Sequence, residues 1–439
     1  MKRFTLVALV AALLFSMVTS ASATELKVRG NFDVYGMWSS NLNDHDSDVA
    51  DGDNYTTVQR MRTYFDYVAN ENLKAVLGFE FDNVWGAGEE ANWGTDGKET
   101  LEVKHAYLDF IFPDTQIEVQ AGLQYIALPS IFGNPVFDDD AAAITVAAPI
   151  NDMFGVTVGY TRGTDMSNSF SDELLVSEGY DKDDVDMAFI ATPVTLDGVS
   201  VTPYFGYAWL GQNSTKSFDA NDDSTVWVVG ANAALTMFDP LTFAADLIYG
   251  EGDSDAYETK GWYAALAASY KMDMLTATLF TTYATGYDED TDEDDKLPTL
   301  AEGWGLTPYV GGDRAFIAAN DSFGTDALGV GNDGTGLWVL GLVLDDISFV
   351  DKLSHKLVIA YAQGTSDEDA TKPSGAAVKF TEEDDLWELW LVNKYMIYEN
   401  LAAINELGYF QASSEVYEDA TGDDLDSSYF ATVGFQYKF

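Results

Sequence analysis

The 439-residue chain has no cysteine, three histidines, ten prolines and 22 lysines and arginines against 73 aspartates and glutamates. Without cysteine there is no disulfide framework, no thiolate zinc site and no thiol nucleophile. The shortage of basic residues leaves a formal charge of -51. That excludes nucleic acid as a partner, because neutralising phosphates requires a basic face. The histidines give no catalytic arrangement. His45 lies among loop aspartates, His105 sits beside inward-facing Tyr107 and Asp109, and His355 opens a strand. Carboxylates are too common here for any pair to signify acid–base chemistry, so no enzyme is expected. Beyond residue 23 there is also no apolar run near the roughly 20 residues that a membrane-crossing helix needs.

What is present is apolar and aromatic. Hydrophobic residues make up 47% of the chain, with 24 Tyr, 26 Phe and 10 Trp, which excludes a disordered acidic polymer. Lys2 and Arg3 precede the apolar run Leu6–Phe15, and Ala21-Ser22-Ala23 follows. This is the pattern of a secretory signal peptide over 1–23, removed after Ala23. A membrane anchor is the alternative, but the run is about half the required length.

From residue 24 to 439 the chain alternates with period two, as strands do. Leu26, Val28, Gly30, Phe32, Val34, Gly36 and Trp38 share one face, opposite Lys27, Arg29, Asn31, Asp33 and Tyr35. Further strands are expected at 57–69, 72–83, 100–112, 115–126 and 141–149, and so on to 428–439. Very short links such as Ala69-Asn70-Glu71 and Asp197-Gly198 alternate with long acidic loops, for example 41–56, 165–184, 287–335 and 365–385. Short turns at one end, long loops at the other, and polar residues inside specify an all-β fold. It is a transmembrane antiparallel up-and-down β-barrel of about 18 strands, with 16 as the alternative. Residues 24–439 then form one barrel domain. The least decided stretch is Asp385–Leu407, where Leu386, Trp387, Leu389, Trp390 and Leu391 also suit a helix. Aromatics near strand ends, among them Trp38, Trp85, Tyr107, Phe112, Tyr125, Tyr160 and Trp209, suit interface girdles.

Three stretches carry a family resemblance: Leu26-Lys27-Val28-Arg29-Gly30-Asn31-Phe32, Val119-Gln120-Ala121-Gly122-Leu123-Gln124, and the terminal Gly434-Phe435-Gln436-Tyr437-Lys438-Phe439. The chain resembles Gram-negative outer-membrane porins, and most of all the homotrimeric porins of sulfate-reducing bacteria. The resemblance implies an outer-membrane location, a homotrimer, contact with lipid and lipopolysaccharide, and Phe439 as the signal read by the barrel-insertion machinery. It also implies that the third external loop, about 127–140, folds into the lumen. There Asp138, Asp139 and Asp140 would form the constriction, facing Arg60 and Arg62. The same arginines would serve equally to balance Asp33, Asp66 and Glu80 within the wall.

The expected pore-lining wall is Arg29, Arg60, Arg62, Lys74, Glu80 and Asp82. The expected function is passive diffusion of small hydrophilic solutes and ions, cation-preferring at the mouth. Alternatives are a substrate-specific porin for sugars, oligosaccharides or anions, and a barrel whose lumen is plugged. An aromatic slide would mark a sugar porin, with Tyr35, Tyr64 and Tyr204 as candidates. No cofactor is expected beyond Ca2+ or Mg2+ held weakly by acidic loops, for instance by Asp288, Asp290, Asp292 and Asp294.

Overall fold

A computed structural model describes residues 24–42, 53–86, 101–164, 184–212, 214, 223–255, 257–289, 293–312, 314–316, 328, 330, 334–372 and 376–439. The expected leader, 1–23, lies outside the described residues. Eighteen strands form the wall. They are β1 (Glu25–Ser40), β2 (Asp53–Asn70), β3 (Leu73–Val84), β4 (Leu101–Ile111), β5 (Glu118–Ala127), β6 (Asp138–Asn151) and β7 (Phe154–Thr164). β8 comes in two pieces, Val185–Ala191 and Val194–Leu196, separated by Thr192 and Pro193. Next are β9 (Val199–Leu210), β10 (Ser224–Phe238), β11 (Leu241–Asp253), β12 (Glu258–Lys271) and β13 (Thr276–Ala284). The last are β14 (Leu337–Val350), β15 (Leu353–Gly364), β16 (Asp385–Tyr398), β17 (Leu401–Ser413) and β18 (Ser428–Lys438).

Each strand is antiparallel to the next, and β18 returns to β1 over the register Asn31↔Lys438 to Ser40↔Tyr429. The joint is finished by the backbone of Phe439, which exchanges two hydrogen bonds with Gly30 at 2.8 and 3.0 Å. Closure leaves no unpaired sheet edge, which hydrocarbon cannot solvate.

The outer face follows the alternation. Leu26, Val28, Leu108, Ile144, Leu247, Leu279 and Val433 point away from the barrel and are exposed to the membrane side. Above them runs an aromatic belt in which Trp227, Tyr249 and Trp262 touch in series (5.4 and 4.7 Å), as do Trp338, Tyr361 and Trp387 (5.8 and 4.9 Å). Such rings sit where hydrocarbon meets water. The barrel therefore has the outer surface of a membrane-spanning protein. Tyr107, read from sequence both as an interface aromatic and as inward-facing beside His105, lies against His105 (5.9 Å).

β2, β6 and β12 begin at residues 53, 138 and 258, earlier than the alternation indicates (57, 141 and 261). Above the apolar band water wets the outer face, so the polarity pattern fades while the hydrogen-bond ladder continues. Asp385–Leu407 is two strands, not a helix. Its inner face holds Leu386, Trp390 and Ile404, all buried, so both faces are apolar and the period-two signal is blurred.

Candidate pore and its lining

Two external loops fold inward and join. The third external loop, 128–137, leaves β5 and crosses to β11, where buried Asp246 accepts hydrogen bonds from Ser130 Oγ and Ile131 N, both at 2.8 Å, and from Asn232 of β10. Asn134 Nδ2 donates to Tyr204 on β9 at 3.0 Å, and Phe132 packs on Phe280 of β13. Buried polar groups persist only when partnered, and here Ser130, Ile131 and Asn134 each donate to a wall side chain.

The seventh external loop, 285–336, travels further. Leu297, Leu300, Trp304, Leu306, Tyr309 and Val310 are all buried inside the barrel. Its backbone pairs with the third loop: Leu300 N to Val136 O (2.9 Å), Gly305 N to Phe132 O (2.9 Å) and Asp138 N to Ala301 O (2.6 Å). At Gly133 the contact is so close, with φ at 78°, that a Cβ would collide with the carbonyl of Gly303. Trp304 Nε1 donates to Tyr263 of β12 at 2.9 Å. On β16, Glu388 accepts from Thr307 Oγ1 and from Tyr309 N, while the Tyr309 ring stacks on Phe410 of β17 at 4.0 Å. On β17, Glu406 accepts from Arg314 Nη2 (3.2 Å) and Ala315 N (2.9 Å), with both side chains of the ion pair essentially buried. Phe316 then stacks on Tyr35 of β1 at 4.6 Å. By composition 287–335 is one more acidic loop. Its signal was the apolar set Leu297, Leu300, Trp304 and Leu306 within an otherwise polar stretch, together with lone acids at inward positions of β16 and β17.

Along β1 to β4 the wall carries a ladder of ion pairs. Arg29 meets Asp66 (3.0 Å), Arg60 meets Asp82 (2.5 Å) and Glu80 (3.4 Å), Arg62 meets Glu80, and Lys74 meets Asp109 (2.9 Å). Arg29, Arg60, Arg62, Lys74, Glu80 and Asp82 stand on β1, β2 and β3. They pair with one another and with Asp66 and Asp109, not with the acids of the third loop.

Asp138, Asp139 and Asp140 are placed differently from the expectation. They open β6, in register with Ala127, Ile126 and Tyr125, because the strand begins before the loop was expected to end. Asp140 is held by Lys104 and by His105 Nε2 (3.0 Å), and Asp138 accepts from the Tyr125 hydroxyl. A register shift in β4 between the partners of Gly78 and Phe79 brings the adjacent residues Lys104 and His105 to the same carboxylate. Of the slide candidates, Tyr35 and Tyr204 are buried beneath the loops, whereas Tyr64 remains partly open to the lumen. Of the four loop acids proposed as cation ligands, Asp290 and Asp292 lie outside the described residues. Asp294 accepts from Tyr257 Oη (2.8 Å) and Asp288 N (3.1 Å). Among the described residues no three carboxylates or histidines converge as a metal would need.

No protein-family model matches the sequence, and no curated protein matches it either. Solved structures do. OccAB3 of Acinetobacter baumannii aligns with a TM-score of 0.54 at 11% identity, over 94% of this chain and 99% of that one. OccK11 (OpdR) of Pseudomonas aeruginosa aligns at 0.53 and 11%, over 94% and 96%. OpdQ of the same organism aligns at 0.55 and 8%, over 94% and 97%. These neighbours are Gram-negative outer-membrane porins, and the likeness is one of fold.

Proposed function

We propose that the chain is a passive channel for small hydrophilic solutes and ions. The observation that carries this is the ladder of ion pairs along β1–β4, in which the Arg29 and Lys74 side chains stay 51% and 42% exposed. A polar, wetted wall spares a solute the cost of dehydration, and the two inward loops set the bore. The acid-rich external loops make the mouth cation-preferring, because a negative potential concentrates cations. The same acids bind Ca2+ or Mg2+ weakly and link to lipopolysaccharide phosphates through them. A homotrimer, akin to the porins of sulfate-reducing bacteria, and recognition of Phe439 by the insertion machinery complete the reading; both rest on the opening and closing strand motifs.

The test is conductance of the purified protein in planar bilayers. Ohmic steps with a reversal potential favouring K+ over Cl- are expected. An insulating protein would sink the reading in favour of a plugged barrel.

A further inference from the structure

One hydrogen-bonded rung of this wall differs from the rest. Arg29, Tyr64, Gly78 and His105 are direct register partners across β1, β2, β3 and β4. The Arg29 guanidinium lies 4.5 Å over the Tyr64 ring. That ring reaches across β3 to His105 at 5.2 Å, and His105 meets Tyr107 at 5.9 Å. Gly78 makes the arrangement possible. A Cβ there would stand 2.7 Å from the Tyr64 ring and 3.1 Å from the His105 Cβ, so only glycine lets the tyrosine cross the strand. The result is a row of planar groups spanning four strands.

The polar groups bordering this row are already charge-compensated. Asp66 takes a two-pronged contact from Arg29 (3.0 and 3.4 Å), and Asp109 takes Lys74 (2.9 Å) and Gln120 Nε2 (3.3 Å). An anion gains little there, because each cation has a carboxylate at hydrogen-bond distance. A neutral polyol gains more: aromatic faces meet its C–H surface, and donors and acceptors in fixed positions meet its hydroxyls.

We propose that this rung is a binding shelf for neutral pyranose sugars in transit, with Tyr64 and Tyr107 taking the ring face and Asp66, Asp109 and Gln120 the hydroxyls. The proposal rests on the diffusion-channel reading and names a solute class for it. Tyr64, His105 and Tyr107 are then specificity-determining residues, and the remaining ion pairs are general lining.

The test is block of single-channel current by maltose, with the full protein in bilayers and each variant normalised to its own sugar-free current. Wild type should show block that saturates with maltose. Tyr64→Ala should weaken it by roughly 3- to 10-fold, the worth of one aromatic contact. Tyr64→Phe, which keeps the ring, should retain the block, and Tyr107→Ala gives a second reading should Tyr64→Ala fail to insert. Current that falls only linearly with maltose, block undiminished in both alanine variants, or stronger block by benzoate than by maltose would each overturn the shelf while leaving the channel standing. Absence of current in wild type would overturn the channel itself.

Discussion

Arg60 and Arg62 project from one face of β2, and each answers to carboxylates on β3, Arg60 to Asp82 and Glu80 and Arg62 to Glu80. Removing both by Arg60→Ala with Arg62→Ala leaves Glu80 and Asp82 facing the passage without their cations. The K+ over Cl- preference is expected to rise by roughly twofold or more, since fixed charge near a narrow lumen acts at reduced dielectric. A reversal potential measured across a salt gradient decides it, and an unchanged value would remove these residues from the ion path. Glu406 presents the opposite case, a pair with no access to water. Glu406→Ala strands the buried Arg314 guanidinium and should cost about 3–5 kcal/mol, read as the urea midpoint for refolding into phospholipid vesicles. Glu406→Gln, whose Oε1 still accepts from Ala315 N while its amide Nε2 donates to Thr432 Oγ1, should cost less. A Glu406→Ala variant as resistant as wild type would show that the pair does not hold the loop.

The seventh loop is anchored near its start as well. Asp294, in the short external bridge Glu293–Asp294 beside β12, is pushed up to about 6, first by burial and against the hydrogen bonds from Tyr257 and Asp288 N. In the unfolded chain the same group ionises near 3.8. A raised carboxyl favours the folded state while protonated, so its hold is full below pH 3.8 and weakens as pH climbs through 6. Open-channel current noise should therefore be greater at neutral pH than in acid, and Asp294→Asn should flatten the difference. Retention of the full pH dependence in that variant would locate the titrating group elsewhere. The strands were legible in sequence because one face must meet lipid, and the alternation of Leu26, Val28 and Phe32 or of Val433, Phe435 and Tyr437 has no other cause. The loop was not, because a segment that packs inside a barrel has no period: Leu297, Trp304, Tyr309 and Phe316 are spaced by whatever wall lies opposite. The pore lining was half legible for the same reason. Inward direction followed from parity, so Arg60, Arg62, Glu80 and Asp82 could be placed on the inner wall. Partners depended on neighbours three-dimensionally adjacent, so Asp138 and Asp140 could not be assigned to Tyr125, Lys104 and His105.

Taken whole, the molecule separates its charges by height. The surplus of acids collects in the external loops, while Arg29, Arg60, Arg62 and Lys74 sit within the wall beside compensating carboxylates. Selectivity set by an acidic mouth is long-range and should fade with salt, because the screening length falls from about 10 Å at 0.1 M to about 3 Å at 1 M. The permeability ratio should move toward that of the free ions over this range; a salt-independent ratio would place the selecting charges at a contact site deeper in the bore. The path of the seventh loop bears on more than permeation. Arg314, Ala315 and Phe316 touch Glu406 on β17, Phe430 and Gln436 on β18 and Tyr35 on β1, and β18 and β1 are the two strands of the closing joint. The segment that narrows the hole is thus also an inner strap across the cylinder's weld. Bore and hoop strength are not separately adjustable in such a design: shortening the strap to enlarge the opening also unfastens the seam, so wide variants should leak more and shed their heat resistance together.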